Sequence, residues 1–390
     1  MKDRILGLQK NVFFLGLTSL FNDFSSEMVY AVFPAFFISV LKAGAASLGL
    51  VDGVAESFSN LFKIYSGNLS DRFQKRKPLI VAGYALSVIT RPFYLLSSTV
   101  AGVLGLRVLD RVGKGFRDSP RDAVISLSVP KEELGKSFGY HRAMDTTGAI
   151  LGPLVAYLIL RAYPLHFNAV FVASFVIGVI AVLSLFFVSD IATNFTAAKR
   201  HDLAASWRGL SGRFKIFIFA IFILSIGGLP VAVVLLKTQS IGLVIADIPL
   251  FYMIYNLSYA IFSLPAGKLS DRIGAPAVIA MGYILLLASY FVIARVTSLW
   301  GLAGGFLLFG LFPGLTDGVQ RSLASQLSGE EFRGGALGLL NAAYGFGALI
   351  AGIVGGVLWQ AYGAETAFIG AAGIVIVGLV LFLVSAKKTK

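Results

Sequence analysis

Two pairs of acidic residues stand inside apolar stretches at one-turn spacing, Asp23 with Glu27 and Asp52 with Glu56. Four residues apart on a helix, each pair shares a face. Counted from Asn11 at ~1.5 Å per residue, Asp23 and Glu27 lie about 18 to 24 Å along their helix. Packing does not require acids at that depth, so they read as a proton or cation relay. A basic stripe answers them: Arg107, Arg111, Lys114 and Arg121 follow one another at steps of four, three and seven, on one helical face. Asp110 lies within the stripe, and Arg117 and Asp118 lie beside it. Arg107, Asp110 and Arg111 can neutralise the acids, and Arg91 stands at mid-depth in the preceding apolar run. Permanent pairing between these arginines and the acids is the alternative to a relay. The balance is too close to assign a charge to a ligand. His141, Arg142 and Asp145 form a further group, in which the imidazole is the side chain that ordinarily titrates near neutrality.

Such residues are held by long apolar elements. Of 390 residues, 57% are hydrophobic and 14% charged, with 43 Gly and no Cys. Long uncharged runs recur to the C-terminus, the pattern of an integral membrane protein. In a soluble chain a formal charge of +13 would suggest nucleic acid. Here the basic residues collect between apolar runs, where they orient a membrane chain, and no nucleic-acid partner is expected. Disulfides and thiolate metal sites are excluded, and His141, His166 and His201 lack the spacing of a zinc helix. No metal or cofactor is expected. The first apolar run is too long for a signal peptide and lacks a small-residue cleavage site.

Apolar runs predict helices near 11–40, 46–66, 78–99, 101–125, 136–162 and 167–188, then near 214–238, 247–267, 276–295, 299–326, 335–360 and 365–385. The reading is all-α, with twelve transmembrane helices in two bundles of six, 1–188 and 214–390, joined by a polar segment at 189–213. Lys and Arg favour residues 1–10, the stretch after the second helix, the central segment and the tail. Both termini and the central loop are therefore expected on the cytoplasmic side of the cell membrane.

The halves repeat. Gly67, Leu69, Ser70, Asp71 and Arg72 recur 200 residues on as Gly267, Leu269, Ser270, Asp271 and Arg272; Gly115, Asp118 and Gly139 recur 199 on as Gly314, Asp317 and Gly338. Two repeated six-helix bundles follow, with substrate expected between them near the midplane. The C-terminal half has Tyr252 and Asn256 where the N-terminal half has Asp52 and Glu56. It offers Tyr252, Tyr255, Asn256, Tyr259, Gln320, Asn341 and Tyr344, a polar and aromatic set suited to an organic solute. Asn22, Arg91 and Arg142 complete the expected cavity lining.

With these residues in place the sequence resembles the major facilitator superfamily along essentially its whole length. The stretch from Gly67 to Lys77 is similar to the family's loop signature, G-x-L-x-D-R-x-G-R-K, except that Gln74 replaces a glycine. Its second copy ends without basic residues. Arg111 with Gly115 resembles the arginine signature of proton-coupled members, with Arg107 a rival for the role. Gly139, Gly148, Gly152 and Pro153 match the fifth-helix spacing associated with antiporters, without its closing glycine pair. The resemblance implies a cytoplasmic gate at Gly67, Asp71, Arg72, Arg117, Asp118 and Arg121, in which Asp71 pairs with Arg117 or Arg121. Asp271, Arg272, Asp317 and Arg321 would be its counterpart in the second half. It also implies a monomer in the lipid bilayer that moves a small molecule by alternating access.

Proton-coupled export of a small organic solute is the function expected from the buried acids and the antiporter-like fifth helix. The coupling residues would be Asp23, Glu27, Asp52, Glu56, Asp110, Arg107, Arg111, His141 and Asp145. Proton-coupled import and divalent-metal transport are the alternatives, and one His without Cys makes a poor metal cage. A non-transporting sensor or receptor is the rival of another class, though no signalling domain is evident. No nucleophile, base and orienting partner stand at enzyme-like spacing, so no enzymatic activity is expected.

Overall fold

The computed structural model describes residues 4–72, 76–190 and 207–387; for residues 67–72, 131, 330–331 and 386–387 it describes the backbone alone. The long helices are α1 (Lys10–Ser39), α2 (Ala45–Arg72), α3 (Lys77–Phe93), α4 (Val100–Leu127), α5 (Leu134–Ala162), α6 (Phe167–Ser184), α7 (Gly212–Ile226), α8 (Ile248–Ile273), α9 (Ala275–Arg295), α10 (Leu299–Gly329), α11 (Phe332–Tyr362) and α12 (Ala364–Lys387). Nine helical segments among the described residues are long and apolar enough to cross a membrane. The long helices outside that set are α1, α2 and α4, which carry the acid pairs and the arginine stripe. Their polarity comes from the groups that could do chemistry.

The ends of these helices follow from local residues. Thr99 caps α4 by accepting the Gly102 N–H at 3.1 Å, and Ser298 caps α10 by accepting the Gly301 N–H at 3.2 Å. These two caps are related by 199 positions, so the repeat extends to how helices begin. Asp190 accepts the N–H groups of Arg76 and Lys77 at 3.1 and 3.3 Å, placing a carboxylate at the positive end of α3. Gly329, at φ 70°, breaks α10 from α11.

Two expectations about helices are corrected. The seventh apolar run is not one helix: α7 stops at Ile226, and short turns Val231–Leu235 and Lys237–Ser240 follow Gly227, Gly228, Leu229 and Pro230. Tyr290 repairs the break, accepting the Leu229 N–H at 2.8 Å and donating to the Gly227 carbonyl at 3.0 Å. The other correction is that α2 continues to Arg72, so the signature from Gly67 begins in helix and not in loop.

The chain forms two compact units. One comprises Met1–Leu41 and Leu61–Arg200, the other Lys42–Asn60 and His201–Lys390. In the first, a two-strand hairpin (β1, Arg4–Ile5; β2, Leu8–Gln9) turns through Leu6 and Gly7, both at positive φ. It is fastened to the start of α5 by Arg4–Glu133 at 2.6 Å, at the residue before the helix, and by Lys136 Nζ in its first turn donating to the Gly7 carbonyl at 3.1 Å. Beneath it Leu8, Val12, Leu15, Ile80, Tyr84, Val124, Ile125 and Leu185 form an apolar core.

Glycine sets the helix contacts within each unit. A Cβ on Gly148 would stand 2.8 Å from the Phe24 nitrogen, and one on Gly152 would stand 2.7 Å from the Phe24 oxygen, so α5 lies against the backbone of α1. Gly139 faces open space and has no such role. In the second unit, Gly49 and Gly53 of α2 meet Gly352 of α11 in the same manner, which is how the start of α2 joins that unit. Gly83 against Gly113 and Gly282 against Phe312 are equivalent α3–α4 and α9–α10 approaches, again 199 positions apart.

Candidate substrate and coupling site

In the first unit the polar side chains of α1, α3, α4 and α5 meet inside the helices. Asp145, one turn after His141, lies 3.5 Å from its Nδ1 and accepts a hydrogen bond from Ser19 of α1. The carboxylate thus ties α5 to α1 just before Gly148 and Gly152 press on the next turns. Those turns carry Asn22, Asp23 and Glu27. Asn22 is fully buried and donates to Asp23 Oδ1 at 3.2 Å. Asp145, Lys114 and Arg117 lie within electrostatic reach of Asp23. Asp23 and Asp145 are therefore neighbouring acids on two glycine-locked helices. Arg142 is exposed on α5, and Pro153 is buried one residue after Gly152.

The basic stripe is more deeply placed. Arg91 and Arg107 are each only 2% exposed. Both reach Asp110, at 3.9 Å from Arg91 and 3.4 Å from Arg107. The Arg107 guanidinium also lies over the rings of Tyr30 (4.6 Å) and Phe33 (5.2 Å), with Arg111 5.9 Å from Tyr30. Aromatic faces stand in for water around a cation taken into an apolar helix bundle. Arg117 is turned inward too, donating to Ser87 Oγ at 2.8 Å and stacking 4.3 Å over Tyr84. Arg121 is held on its own helix by Asp122 at 2.9 Å and Asp118 at 3.6 Å.

The expected gate is only partly in view. The side chains of Gly67, Asp71 and Arg72 lie outside the described residues, and so does the Asp71 pairing. Asp271, Arg272, Asp317 and Arg321 are exposed, and Asp317 accepts from the Tyr259 hydroxyl at 3.1 Å.

The second unit brings the remaining expected residues into two places. On α2, Glu56 accepts from Asn60 Nδ2 at 3.1 Å, and Asp52 is buried. Elsewhere Tyr252 stacks on Tyr255 with centroids 6.0 Å apart, Tyr255 meets Phe309 at 5.2 Å, and Asn256 is buried on the same helix. Tyr344 donates to Gln320, whose amide donates to the Tyr283 hydroxyl at 3.0 Å. The buried Asn341 carries a side-chain oxygen with no hydrogen-bond partner. Among the described residues, no group of three or more His, Cys, Asp or Glu is placed to hold a metal ion.

Sequence reasoning passed over Ser19, Tyr30, Ser87 and Tyr290, which hold the charged groups or the broken helix, and over Tyr94, buried between Phe33 and Phe171. It also passed over a repeat that the structure makes visible. Tyr84, Arg121 and Asp145 in one unit correspond at the same offset of 199 to Tyr283, Gln320 and Tyr344 in the other. Arg121 lies within electrostatic reach of Tyr84 and Asp145. The signal was present in the sequence, but phenols and amides do not stand out in a search for charge.

Paired helical units with ionisable groups inside long helices are the build of a multi-pass membrane carrier. The profile of the Major Facilitator Superfamily matches residues 15–243 and 216–390. The chain belongs to that superfamily of transporters. It is 35% identical over 383 residues to an MFS-type transporter of Methanocaldococcus jannaschii, covering 97% of this chain and 95% of the relative. It is 25% identical to the multidrug resistance protein MdtG of Proteus mirabilis, covering 87% and 86%. The fold matches the crystal structure of the nucleoside transporter NupG with a TM-score of 0.81 at 16% identity, over 98% of this chain and 100% of that one.

Proposed function

We propose that this transporter is an exporter that exchanges protons for a small organic solute by alternating access, through twelve membrane crossings, as a monomer in the cytoplasmic membrane with both termini inside. The observation that carries this reading is the α1–α5 contact. Gly148 and Gly152 press α5 against the turns that bear Asp23 and Glu27, and Ser19 fastens Asp145 beside them. Neighbouring carboxylates in a helix interface repel when both are ionised, so each favours a proton on the other. A proton taken from outside relieves that repulsion, and its release inside restores it, which biases a two-state carrier. The similarity to a multidrug resistance protein supports the outward direction. On this reading Asp23, Glu27 and Asp145 do the coupling, while other polar and aromatic residues contact the solute.

The test is proton movement in proteoliposomes that hold an internal pH dye, with a solute library added outside. Proton flux evoked by one solute class, and lost in Glu27→Gln or Asp23→Asn, is the expected result. Solute that equilibrates without proton movement would replace the exchanger with a facilitator.

A further inference from the structure

Arg91 is an under-committed guanidinium. It is 2% exposed, and among the described residues its five N–H donors make one hydrogen bond, from Nη1 to the Ser87 carbonyl at 3.2 Å. Its other polar contact is Asp110 Oδ1 at 3.9 Å, well beyond the ~2.7–2.9 Å of a charge-assisted hydrogen bond. Three residues along the chain, Tyr94 is 3% exposed, and its hydroxyl has no hydrogen-bond partner. The ring is fixed between Phe33, at 5.8 Å, and Phe171, at 5.4 Å, so the hydroxyl is held in place. Arg107, Asp110, Arg91 and Arg111 lie within electrostatic reach of that hydroxyl. A buried donor left unmade and, three residues before it, a guanidinium with donors to spare describe a site short of an acceptor.

We propose that Arg91 and Tyr94, with Arg107 alongside, bind a carboxylate group of the transported solute. The assignment rests on the reading of the chain as a solute carrier, and it adds the substrate class: an organic acid. A carboxylate fits because it accepts several hydrogen bonds at once and pairs with guanidinium through two oxygens. Asp110 shows that this donor set already accommodates that group. The incoming carboxylate takes over Arg91 from Asp110, whose contact with it is long, and gains the Tyr94 hydroxyl that Asp110 does not use. The aromatic neighbours Tyr30, Phe33 and Phe171 exclude water and strengthen the exchange.

The experiment is thermal unfolding of the purified full-length chain in detergent, at constant ionic strength set with sodium methanesulfonate. The probes are sodium benzoate and sodium acetate, neutral benzamide, and sodium chloride. The expected result is a saturable rise in midpoint with the carboxylates and none with benzamide. Tyr94→Phe, which removes only the hydroxyl, should raise the half-maximal concentration about tenfold. Arg91→Lys should raise it further, and if that variant does not fold, Tyr94→Phe decides alone. An equal response in wild type and Tyr94→Phe, or no saturable response, overturns the assignment. A chloride response that displaces benzoate also overturns it, in favour of an inorganic anion. Proton coupling is measured separately by the internal dye, so either reading can fail while the other stands.

Discussion

Placing a methyl group on Gly152 tests the α1–α5 contact most directly. The Cβ of Gly152→Ala would stand 2.7 Å from the Phe24 oxygen and 2.9 Å from both Glu27 Cβ and Met28 N. Ordinary contact begins at 3.4 Å, so α5 must retreat from α1 by about 0.7 Å. Two of the three atoms met are backbone and cannot rotate away. Overpacking of this kind costs about 1–3 kcal/mol. The control is Gly139→Ala on the same helix, where the methyl meets nothing within 4 Å and gains about 0.8 kcal/mol of helix propensity. The same propensity gain applies at Gly152 and cancels in the comparison, so Gly152→Ala should be the less stable of the two by about 1–3 kcal/mol. Apparent unfolding midpoints of the purified proteins, compared at one scan rate, give the order, because unfolding of a large membrane protein is governed by rate. Proton-linked transport should fall in Gly152→Ala, since the displaced turn carries Glu27, and persist in Gly139→Ala. If Gly152→Ala unfolds at or above Gly139→Ala, the helices are not locked by this glycine and the argument fails.

Other substitutions probe separate devices. Tyr290→Phe deprives the Gly227 carbonyl and the Leu229 N–H of their shared partner, and should cost about 2 kcal/mol with faster amide exchange across residues 227–230. Ser87→Ala removes the acceptor for Arg117 and should lower the midpoint by the equivalent of about 1.5–3 kcal/mol, as expected for a hydrogen bond from a charged group; an unchanged midpoint would show that Arg117 has another anchor. Arg4→Ala breaks an ion pair that is largely solvated, so stability should change by less than about 1 kcal/mol while exchange at residues 4–9 rises.

Much of the architecture was legible because apolar length and charge placement are strong signals. Eleven of the twelve expected helix starts fall within two residues of the observed ones, and they needed no tertiary information, only a run such as Phe167 to Ser184 without a charge. The break after Ile226 was not read, because Gly227 and Pro230 sit within an apolar run and Tyr290, which satisfies the broken backbone, is distant in sequence. Gly148 and Gly152 were recognised from their spacing, but that spacing also included Gly139, and only packing separates the two that touch α1 from the one that does not. The charges of Arg91, Arg107 and Asp110 were visible, whereas their long mutual distances depend on where α3 and α4 cross. The placement of Asp52 and Glu56 with the second unit also had to come from the structure, since the glycine face of α2 says that it packs closely but not against what.

The matched clusters also differ in what each half must neutralise. Arg121 and Asp145 in one half occupy the positions of Gln320 and Tyr344 in the other, around tyrosines that are the same in both. A buried charge without its opposite costs several kcal/mol, and Arg121 meets that need on its own helix with Asp118 and Asp122. An amide or a phenol can face either a charge or another neutral group and keep a hydrogen bond. The trio of the second half therefore stays joined through Gln320 with no charge of its own to neutralise.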